Sequence, residues 1–513
     1  MLVSTSSKRS PVFELLVPLL LLALLSAAAT AWFYQRGYTL YYGDAEAHLN
    51  MARRVLDSRD PGVFQFGAVW LPLPHLLMLP FVASDKLWQS GLAGAIPVAL
   101  SFIVAAMFLF RAARSIYGDL AAAAAVLCLF ALNPNLLYLQ SAPMTEPVFF
   151  AALCALLYFA VRHRESQSLG WVAAAAVATL AATMTRYEGW FLVPIATLYF
   201  LIAARRRRVV AALLFGAIAS VGPLAWLAYN WWFYADPLWF YRGPYSAMSI
   251  YKKGLALGYD RYRGDHDWGN AWIYFRNAVR VTAGWPVIWL GLAGAIAARI
   301  RRTFWPLLLL APAPAFYLWS MYSGGTPIYM PHMWPFSYYN TRYGLEALPL
   351  LALAAGALVT LAPVRLRPAA ALLVVGWGVA PWLWTPAPQG WICWKESQVN
   401  SDVRRAWTKE AADFLAPRYQ EGAGILIPFG DIAGIFRQAG IPLRDALHED
   451  IVVPWQMAVG RPAFFLNEEW AITISGEKVS DAIAQALRSD SRYDCVKTIA
   501  PKKGPVIQIY RRK

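Results

Sequence analysis

Long apolar runs constrain the fold of this chain more than any other feature of its sequence. The first covers residues 12–33, and ten more follow between residues 88 and 386. About 20 apolar residues are enough for one helix to cross the hydrocarbon core of a bilayer. Charged residues make up only 15% of the chain, against about 25% in soluble domains. We therefore predict an α-helical polytopic membrane protein. The later runs are 88–111, 120–139, 146–161, 169–185, 190–204, 209–232, 284–299, 304–322, 344–364 and 369–386.

The basic residues between these runs fall at alternate connections. Positively charged connections stay on the cytoplasmic side of a membrane, so the alternation predicts about eleven spans, with the N-terminus inside and the C-terminal part outside. The expected location is the inner (plasma) membrane. The same clusters contribute to the net charge of +16, so we expect no nucleic-acid partner. The clusters are Arg111 and Arg114, Arg162 and Arg164, Arg205 to Arg208, Arg299 to Arg302, and Arg365 and Arg367.

A change of composition after Pro386 divides the chain into two predicted domains. Residues 1–390 form the membrane domain, which starts with an anchor rather than a signal peptide because no convincing A-x-A cleavage site is present. Residues 391–513 form a soluble, extracytoplasmic α/β domain. Its Cys393 and Cys495 could pair in an oxidising compartment or stay free. The predicted helices of this domain are 403–415 and 479–488, and its predicted strands are 425–428, 463–466, 495–499 and 505–510.

Two outer segments of the membrane domain are long enough to carry function. In the first outer loop, 34–87, residues 44–57 predict a short amphipathic helix. The proline-rich run 70–82 is too short for a confident span and indicates an interfacial or re-entrant segment. The second segment is the long outer loop 233–283, a length that usually indicates a functional loop.

Two carboxylates and an imidazole lie within the five consecutive residues 44–48, in the loop that follows the first span. A carboxylate at the hydrocarbon boundary can act as a general base towards a hydroxyl, so Asp44 is the first candidate catalytic residue and Glu46 the second. Asp44 could also cap a helix that starts at Ala45. Residues 44 and 48 share a helix face, so His48 could orient Asp44, bind substrate, or be an interfacial histidine without a role.

Three more charged residues lie at predicted outer ends of spans. Glu146 precedes Pro147 at the start of a run, where it could complement the helix dipole or face the same site as Asp44. Arg186 lies away from the basic side of the membrane, which calls for an anionic partner. That partner could be Glu188 or a phosphate, which guanidinium binds through two hydrogen bonds.

Arg342 raises the same question without an adjacent acid. It stands between Tyr339-Asn340 and Tyr343 in a segment rich in tyrosine. We expect Arg342 to bind a phosphate and its neighbours to contact substrate. In the long loop, Arg242 is a further candidate substrate contact, and Asp265-His266-Asp267 resembles a metal-binding D-x-D but is better interpreted as a solvated turn.

Four short motifs give the chain a resemblance to a known family. They are Gly43-Asp44-Ala45-Glu46, Met144-Thr145-Glu146-Pro147, Thr185-Arg186-Tyr187-Glu188-Gly189 and Thr341-Arg342-Tyr343-Gly344. With the apolar runs, they resemble the GT-C superfamily of membrane glycosyltransferases, in the bacterial branch related to protein O-mannosyltransferases and the lipid A aminoarabinose transferase. The resemblance covers residues 12–386, and residues 395–513 resemble nothing that we can name.

The resemblance implies an inverting transfer of a sugar from a polyprenyl phosphate to an acceptor hydroxyl of a glycan, lipid or protein. Asp44 would take the hydroxyl proton, and Arg342, with Arg186, would stabilise the leaving lipid phosphate. Many relatives have adjacent acids in the first loop, whereas Ala45 separates Asp44 from Glu46 here, so either could be the base. The Trp-Trp-Asp signature of oligosaccharyltransferases is absent, and we expect no required metal and no other cofactor.

Two alternatives to an enzyme stay open. Charges within membranes also mark transport paths, so the chain could be a transporter or flippase of a lipid-linked sugar. The paired repeats and broken helices of transporters are not evident in the sequence. A non-catalytic subunit whose C-terminal domain binds a glycan or a protein is the third possibility.

Overall fold

The computed structural model describes residues 11–385, 389–489, 492–501 and 504–513. Pro386, the last residue of the last predicted run, lies outside these ranges. The first half of the chain is helical, because a helix satisfies its backbone hydrogen bonds internally in lipid. Its helices are α1 (Pro11–Gln35), α2 (Gly43–Arg54), α3 (Leu73–Val82), α4 (Asp85–Ser90), α5 (Leu92–Tyr117), α6 (Leu120–Ala131), α7 (Pro134–Leu139), α8 (Glu146–Ser166), α9 (Leu169–Thr183), α10 (Glu188–Ala203) and α11 (Arg208–Tyr234).

The second half of the membrane part begins with the loop 233–283, which contains three helices. Asp267 caps the third of them by accepting a hydrogen bond from the backbone N–H of Asn270 (3.0 Å), so the Asp265-His266-Asp267 triplet is a helix-starting turn. The segment Thr341–Ala347 is a 3-10 helix. The remaining helices are α12 (Trp239–Arg242), α13 (Ala247–Ala256), α14 (Trp268–Thr282), α15 (Trp285–Ile300), α16 (Leu307–Leu310), α17 (Pro312–Tyr322), α18 (Leu348–Val359) and α19 (Arg367–Trp384).

The chain is a multi-pass membrane protein by the length and composition of its helices. Six segments of the described residues are long and apolar enough to span, and α14 with α15 would make a seventh, bent by 107°. Five shorter apolar helices accompany them. Each of the eleven predicted runs contains at least one helix, but the number that cross the membrane, and in which direction, stays a prediction.

Small residues let these helices pack closely, as is usual between membrane helices. The strongest example is the pair α15 and α18, where a Cβ on Gly294 would overlap the carbonyl of Ala354. α8 packs between α5 and α9, and 83% of its most apolar stretch is buried in protein. In contrast, α1 and α19 have only 11% of theirs buried, so they present the apolar surface that lipid would cover.

The C-terminal part is a small α/β unit, as predicted. Its five-stranded sheet has the order β2-β1-β3-β5-β4, in which β1 pairs in parallel with β2 and β3, and β5 pairs antiparallel with β3 and β4. The buried strand Trp470–Ile474 lies at its centre. The elements are α20 (Ile392–Leu415), β1 (Ile425–Leu426), α21 (Gly434–Ala439), β2 (Ala446–Leu447), α22 (Val452–Gly460), α23 (Pro462–Phe465), β3 (Trp470–Ile474), α24 (Lys478–Ser489), β4 (Tyr493–Ile499) and β5 (Ile507–Arg512).

Two details of the sequence-based prediction are wrong. The apolar run 463–466 was assigned to a strand, but most of it is helical, because Pro462 stands in the first turn of α23 with its φ already suited to a helix. The sheet instead contains the buried strand β3, which the sequence analysis did not predict. The disulfide alternative also fails, since Cys393 is a buried free thiol in α20 and Cys495 an exposed free thiol on β4.

Helix α20 joins the two parts of the chain. Its backbone N–H at Cys393 donates to Asn135 Oδ1 (2.9 Å), and Tyr138 in α7 donates to the hydroxyl of Ser397 (2.8 Å). One turn later, the hydroxyl of Ser401 donates to the carbonyl of Tyr41. The C-terminal part is therefore fixed against the residues that immediately precede α2.

Candidate active site

Asp44 lies in the first turn of α2, where its carboxylate is free to face other elements. The helix begins at Gly43 with Tyr42 at the N-cap position, and no side chain caps it, so the predicted capping role of Asp44 is wrong. Arg404 lies close to this helix start, since a Cβ on Gly43 would be 2.5 Å from its Nη1. Arg404 Nη2 also donates to the carbonyl of Tyr41 (3.2 Å), which holds the start of α2 against α20.

Arg342 brings together acids that are distant in the sequence. Its Nη2 donates to Asp44 Oδ2 (2.5 Å), and its Nε donates to Glu146 Oε1 (3.0 Å). Arg186 Nη1 donates to the same Glu146 oxygen (3.0 Å). Asp44, Arg342, Glu146 and Arg186 therefore form one continuous chain of ion pairs. The structure places all four predicted residues in one cluster.

The Arg186 end of this series of ion pairs is buried and rich in carboxylates. Arg186 Nε donates to Glu188, as the adjacent-acid interpretation predicted, and its Nη2 donates to the hydroxyl of Tyr317. Glu346 lies 3.8 Å from Arg186 Nε, and neither of its carboxylate oxygens has a hydrogen-bond partner among the described residues. Sequence reasoning missed Glu346, although it is the only acid in the predicted run 344–364, and an ionisable residue in such a run is a signal of function.

Glu396 in α20 is a second residue that the sequence analysis missed. Its carboxylate accepts hydrogen bonds from the backbone N–H groups of Asn340 (3.1 Å) and Thr341 (2.9 Å), and from the Thr341 hydroxyl (2.5 Å). It also lies 3.8 Å from Arg342 Nη1. Burial raises the pKa of Glu396, and the nearby Arg342 and Thr341 only partly oppose that rise. The C-terminal part thereby holds the backbone that carries Arg342.

Tyrosine rings flank the two arginines. The ring of Tyr343 lies 5.0 Å from the guanidinium carbon of Arg342 and 5.4 Å from that of Arg186, so it contacts both through cation–π interactions. Tyr343 also stacks on Tyr317, with centroids 4.5 Å apart. Tyr339 is 45% exposed and lines the same cavity as Asp44 and Arg342.

Two cavities meet at Asp44. The first, of about 550 Å³, is lined by Asp44, Arg342, Tyr343, Tyr339 and Asn340, together with residues of α13. The second, of about 790 Å³, lies along α2 and is bordered by residues of the C-terminal part. We call them the Arg342 cavity and the α2 cavity. A carboxylate that borders both is placed to act between two ligands.

Glu46 and His48 do not join the ion-pair cluster. Glu46 lines the α2 cavity, and its carboxylate accepts two hydrogen bonds from Arg437, at 2.9 and 3.1 Å. His48 Nδ1 contacts His75 Nε2 (2.9 Å) instead of Asp44. Burial, with Arg342 and Arg186 nearby, lowers the pKa of His48 to about 3, so its imidazole is neutral at pH 7.

Arg242 is brought to neither cavity. It lies on α12 with its side chain 60% exposed and pairs at 3.5 Å with Asp236. Among the described residues, no three His, Cys, Asp or Glu side chains are arranged to hold a metal ion. Whether the chain needs a metal stays a prediction.

Comparisons with known proteins give one family match and several similar folds. Residues 86–232 match the family model described as dolichyl-phosphate-mannose-protein mannosyltransferase. The structure is similar to that of apo ArnT from Cupriavidus metallidurans, with a TM-score of 0.56 and 14% identity over 91% of this chain and 93% of that chain. For ArnT bound to undecaprenyl phosphate, the TM-score is 0.55 at 14% identity, over 95% of this chain and 97% of that chain.

A more distant similarity extends to an archaeal enzyme. The apo oligosaccharyltransferase of Archaeoglobus fulgidus has a TM-score of 0.50 at 11% identity, over 91% of this chain and 70% of that chain. No curated protein matches the chain in sequence. At these identities, the structural matches establish a common fold.

Proposed function

We propose, from the resemblance to GT-C glycosyltransferases that the family match and the fold support, that this chain is an inverting membrane glycosyltransferase. It would move a sugar from a polyprenyl phosphate to an acceptor hydroxyl on the outer face of the inner membrane. The observation that carries the proposal is the contact between Asp44 and Arg342 (2.5 Å) at the junction of two cavities. The carboxylate that would accept the proton thus lies beside the cation that would bind the phosphate.

In the proposed reaction, Asp44 removes the proton from the acceptor hydroxyl as its oxygen bonds to the anomeric carbon of the donor sugar. The bond from that carbon to the phosphate oxygen breaks, and the electron pair leaves with the polyprenyl phosphate. One attack from the face opposite the leaving group inverts the anomeric carbon. General-base catalysis of this kind is worth roughly 10²–10⁴ in rate.

Arg342 would bind the leaving phosphate from the Arg342 cavity. A guanidinium has five N–H donors, and those of Arg342 engage Glu146 through Nε and Asp44 through Nη2. The remaining donors can receive a phosphate, where negative charge gathers in the transition state. Arg186 does not line the cavity, so we assign it to holding Glu146, and through Glu146 the orientation of Arg342.

The donor class is supported by one of the similar structures, that of ArnT bound to undecaprenyl phosphate. The side of the membrane is supported by the alternation of basic connections. Tyr339, Asn340 and Tyr343 line the Arg342 cavity and would contact the donor sugar. We assign no substrate contact to Arg242, which is exposed and away from both cavities.

The test is transfer of label from a panel of radiolabelled polyprenyl-phosphate sugars into membranes, with purified wild-type protein and Asp44→Asn. We expect label with the wild type only, and a loss of about 10²–10⁴-fold for the variant. Asp413→Asn is the matched control, because Asp413 is an exposed acid on α20 that pairs only with exposed Lys409 among the contacts described (2.6 Å). No transfer from any donor by folded protein would refute the proposal and favour the transporter alternative.

A further inference from the structure

The α2 cavity extends along one face of α2, away from Asp44. Asp44, Ala47, Asn50, Met51 and Arg54 all line it. These positions recur at helical spacing, and at 1.5 Å of rise per residue they cover about 15 Å from the first to the last. The cavity is therefore longer than a single monosaccharide, with the candidate base at one end.

Two buried donors of this face have no hydrogen-bond partner in the part of the chain that the structure describes. Asn50 is 1% exposed, and its Oδ1 accepts a hydrogen bond from the indole N–H of Trp88 (3.1 Å). That contact fixes the orientation of the amide and leaves Nδ2 without a hydrogen-bond partner among the described residues. Nε of Arg54 is likewise without one. Because an unsatisfied buried donor costs roughly 1–3 kcal/mol, an oxygen acceptor brought next to these atoms would be stabilised.

The opposite walls combine aromatic rings with polar groups. Tyr234 and Trp239, stacked with centroids 5.9 Å apart, line the cavity on one side with Tyr245. The C-terminal part contributes Asp431, Gln438, Glu449 and Gln456, among others. Flat apolar rings beside hydrogen-bonding side chains suit a ligand that has both C–H faces and hydroxyl groups.

The charges of the cavity disfavour an anionic ligand. Its three cations are already engaged: Arg54 with Asp450, Arg404 with Asp431 (3.3 Å) and Arg405 with the carbonyl of Leu40 (3.3 Å). Five carboxylates line the same space. Among them, burial raises the pKa of Glu449, although Phe429 N–H donates to its carboxylate (3.0 Å). A phosphate or carboxylate placed here would find repulsion and few free donors.

The walls also disfavour an extended peptide. One established way to satisfy the backbone groups of an extended peptide is pairing with the edge of a sheet. None of the residues of β1 to β5 lines the α2 cavity.

We propose that the α2 cavity binds a neutral carbohydrate acceptor and presents one of its hydroxyls to Asp44. This inference rests on the proposed glycosyl transfer and names its acceptor class. Asn50 Nδ2 donates to an acceptor oxygen, Glu449 and Asp431 accept from its hydroxyls, and Trp239 and Tyr245 contact its C–H faces. The C-terminal part thus contributes to acceptor specificity.

In the experiment, full-length protein in detergent is supplied with one donor that it accepts and with three classes of acceptor. These are neutral oligosaccharides, peptides containing serine and threonine, and an anionic phosphoglycolipid. Transfer to the neutral oligosaccharides supports the proposal. Transfer only to the peptides or to the phosphoglycolipid overturns it, while leaving glycosyl transfer established. Failure of the wild type to bind donor or to transfer to anything overturns both.

Two variants test the site itself. Asn50→Asp keeps the acceptor oxygen for Trp88 and removes the free donor, and Gln456→Ala changes an exposed residue of α22, where loss of folding is not expected. Each should raise the acceptor KM roughly three- to tenfold, the effect of one hydrogen bond, while the donor KM stays within twofold. Asp413→Asn should change neither. An unchanged acceptor KM in both variants, or equal rises in both KM values, would overturn the assignment.

Discussion

Replacing Glu46 by Gln should destabilise the protein without abolishing transfer. Glu46 and Asp44 are two residues apart on α2, but their carboxylates meet different arginines. Glu46 accepts two hydrogen bonds from Arg437, at 2.9 and 3.1 Å, and the two side chains are only 15% and 10% exposed. Asp44 faces Arg342. The structure therefore assigns Glu46 to holding α2 against the C-terminal part.

The magnitude follows from the burial of this pair. Exposed pairs contribute about 0–1 kcal/mol, whereas removing one partner of a buried pair costs about 3–5 kcal/mol. For a pair that is mostly buried, we expect Glu46→Gln to cost roughly 2–4 kcal/mol. Arg437→Gln should cost a similar amount, and the double variant should cost less than the sum of the two, because the partners act as one unit.

The assay measures two quantities on the same purified samples: unfolding in detergent against temperature, and sugar transfer at a temperature where all variants are folded. Glu46→Gln should unfold at a lower temperature and keep transfer within about tenfold, whereas Asp44→Asn should lose about 10²–10⁴-fold. If Glu46→Gln lost transfer to that extent with unchanged unfolding, Glu46 would be the base and our reading of the ion pairs would be refuted.

Three further predictions concern other residues of the structure. Arg342→Ala should weaken binding of a polyprenyl phosphate by roughly tenfold or more. Arg342→Lys should restore only part of that binding, because a lysine cannot donate to two oxygens in fork geometry. Equal binding by the wild type and both variants, measured by titration, would exclude the phosphate contact. Glu396→Gln keeps an oxygen acceptor but removes the charge 3.8 Å from Arg342, so it should shift the KM for the donor more than that for the acceptor. Burial lowers the pKa of both His48 and His448 to about 3, so each histidine binds a proton more weakly in the folded state than in the unfolded state. Their contribution to stability is therefore fully present above pH 6.5 and is lost as the pH falls towards 3, by roughly 1.4 kcal/mol per pH unit for each histidine. His448→Gln should therefore make unfolding less sensitive to pH in this window, and an unchanged sensitivity in urea titrations would contradict the burial.

Much of the helical membrane fold was predictable, because crossing a bilayer depends on local composition. A run of apolar residues must form a helix wherever lipid replaces water around its backbone, and each predicted run does contain one. The C-terminal part was less predictable. The helix at Pro462–Phe465 and the strand Trp470–Ile474 are both short and apolar, and such runs fit either structure until packing decides.

The candidate site was predictable in its parts and not in its assembly. The sequence identified Asp44, Glu146, Arg186 and Arg342 as unusual, because charged residues at the ends of apolar runs need a reason to be there. Glu346 carried the same signal, as the only acid of the run 344–364, and was missed, whereas Glu396 lies in a polar segment where acids are unremarkable. The sequence also made Arg242 a candidate, and only the fold shows that this residue lies on an exposed helix.

By itself, the sequence determined that the chain enters the membrane many times and that its acids and arginines gather near the ends of spans. Only the tertiary structure decided which acid meets which arginine. Asp44 and Arg342 are 298 positions apart in sequence and 2.5 Å apart in space, whereas Glu46, two residues from Asp44, faces Arg437. The physical reason is that successive residues of a helix point about 100° apart, so neighbours in sequence meet different partners once other elements pack around them.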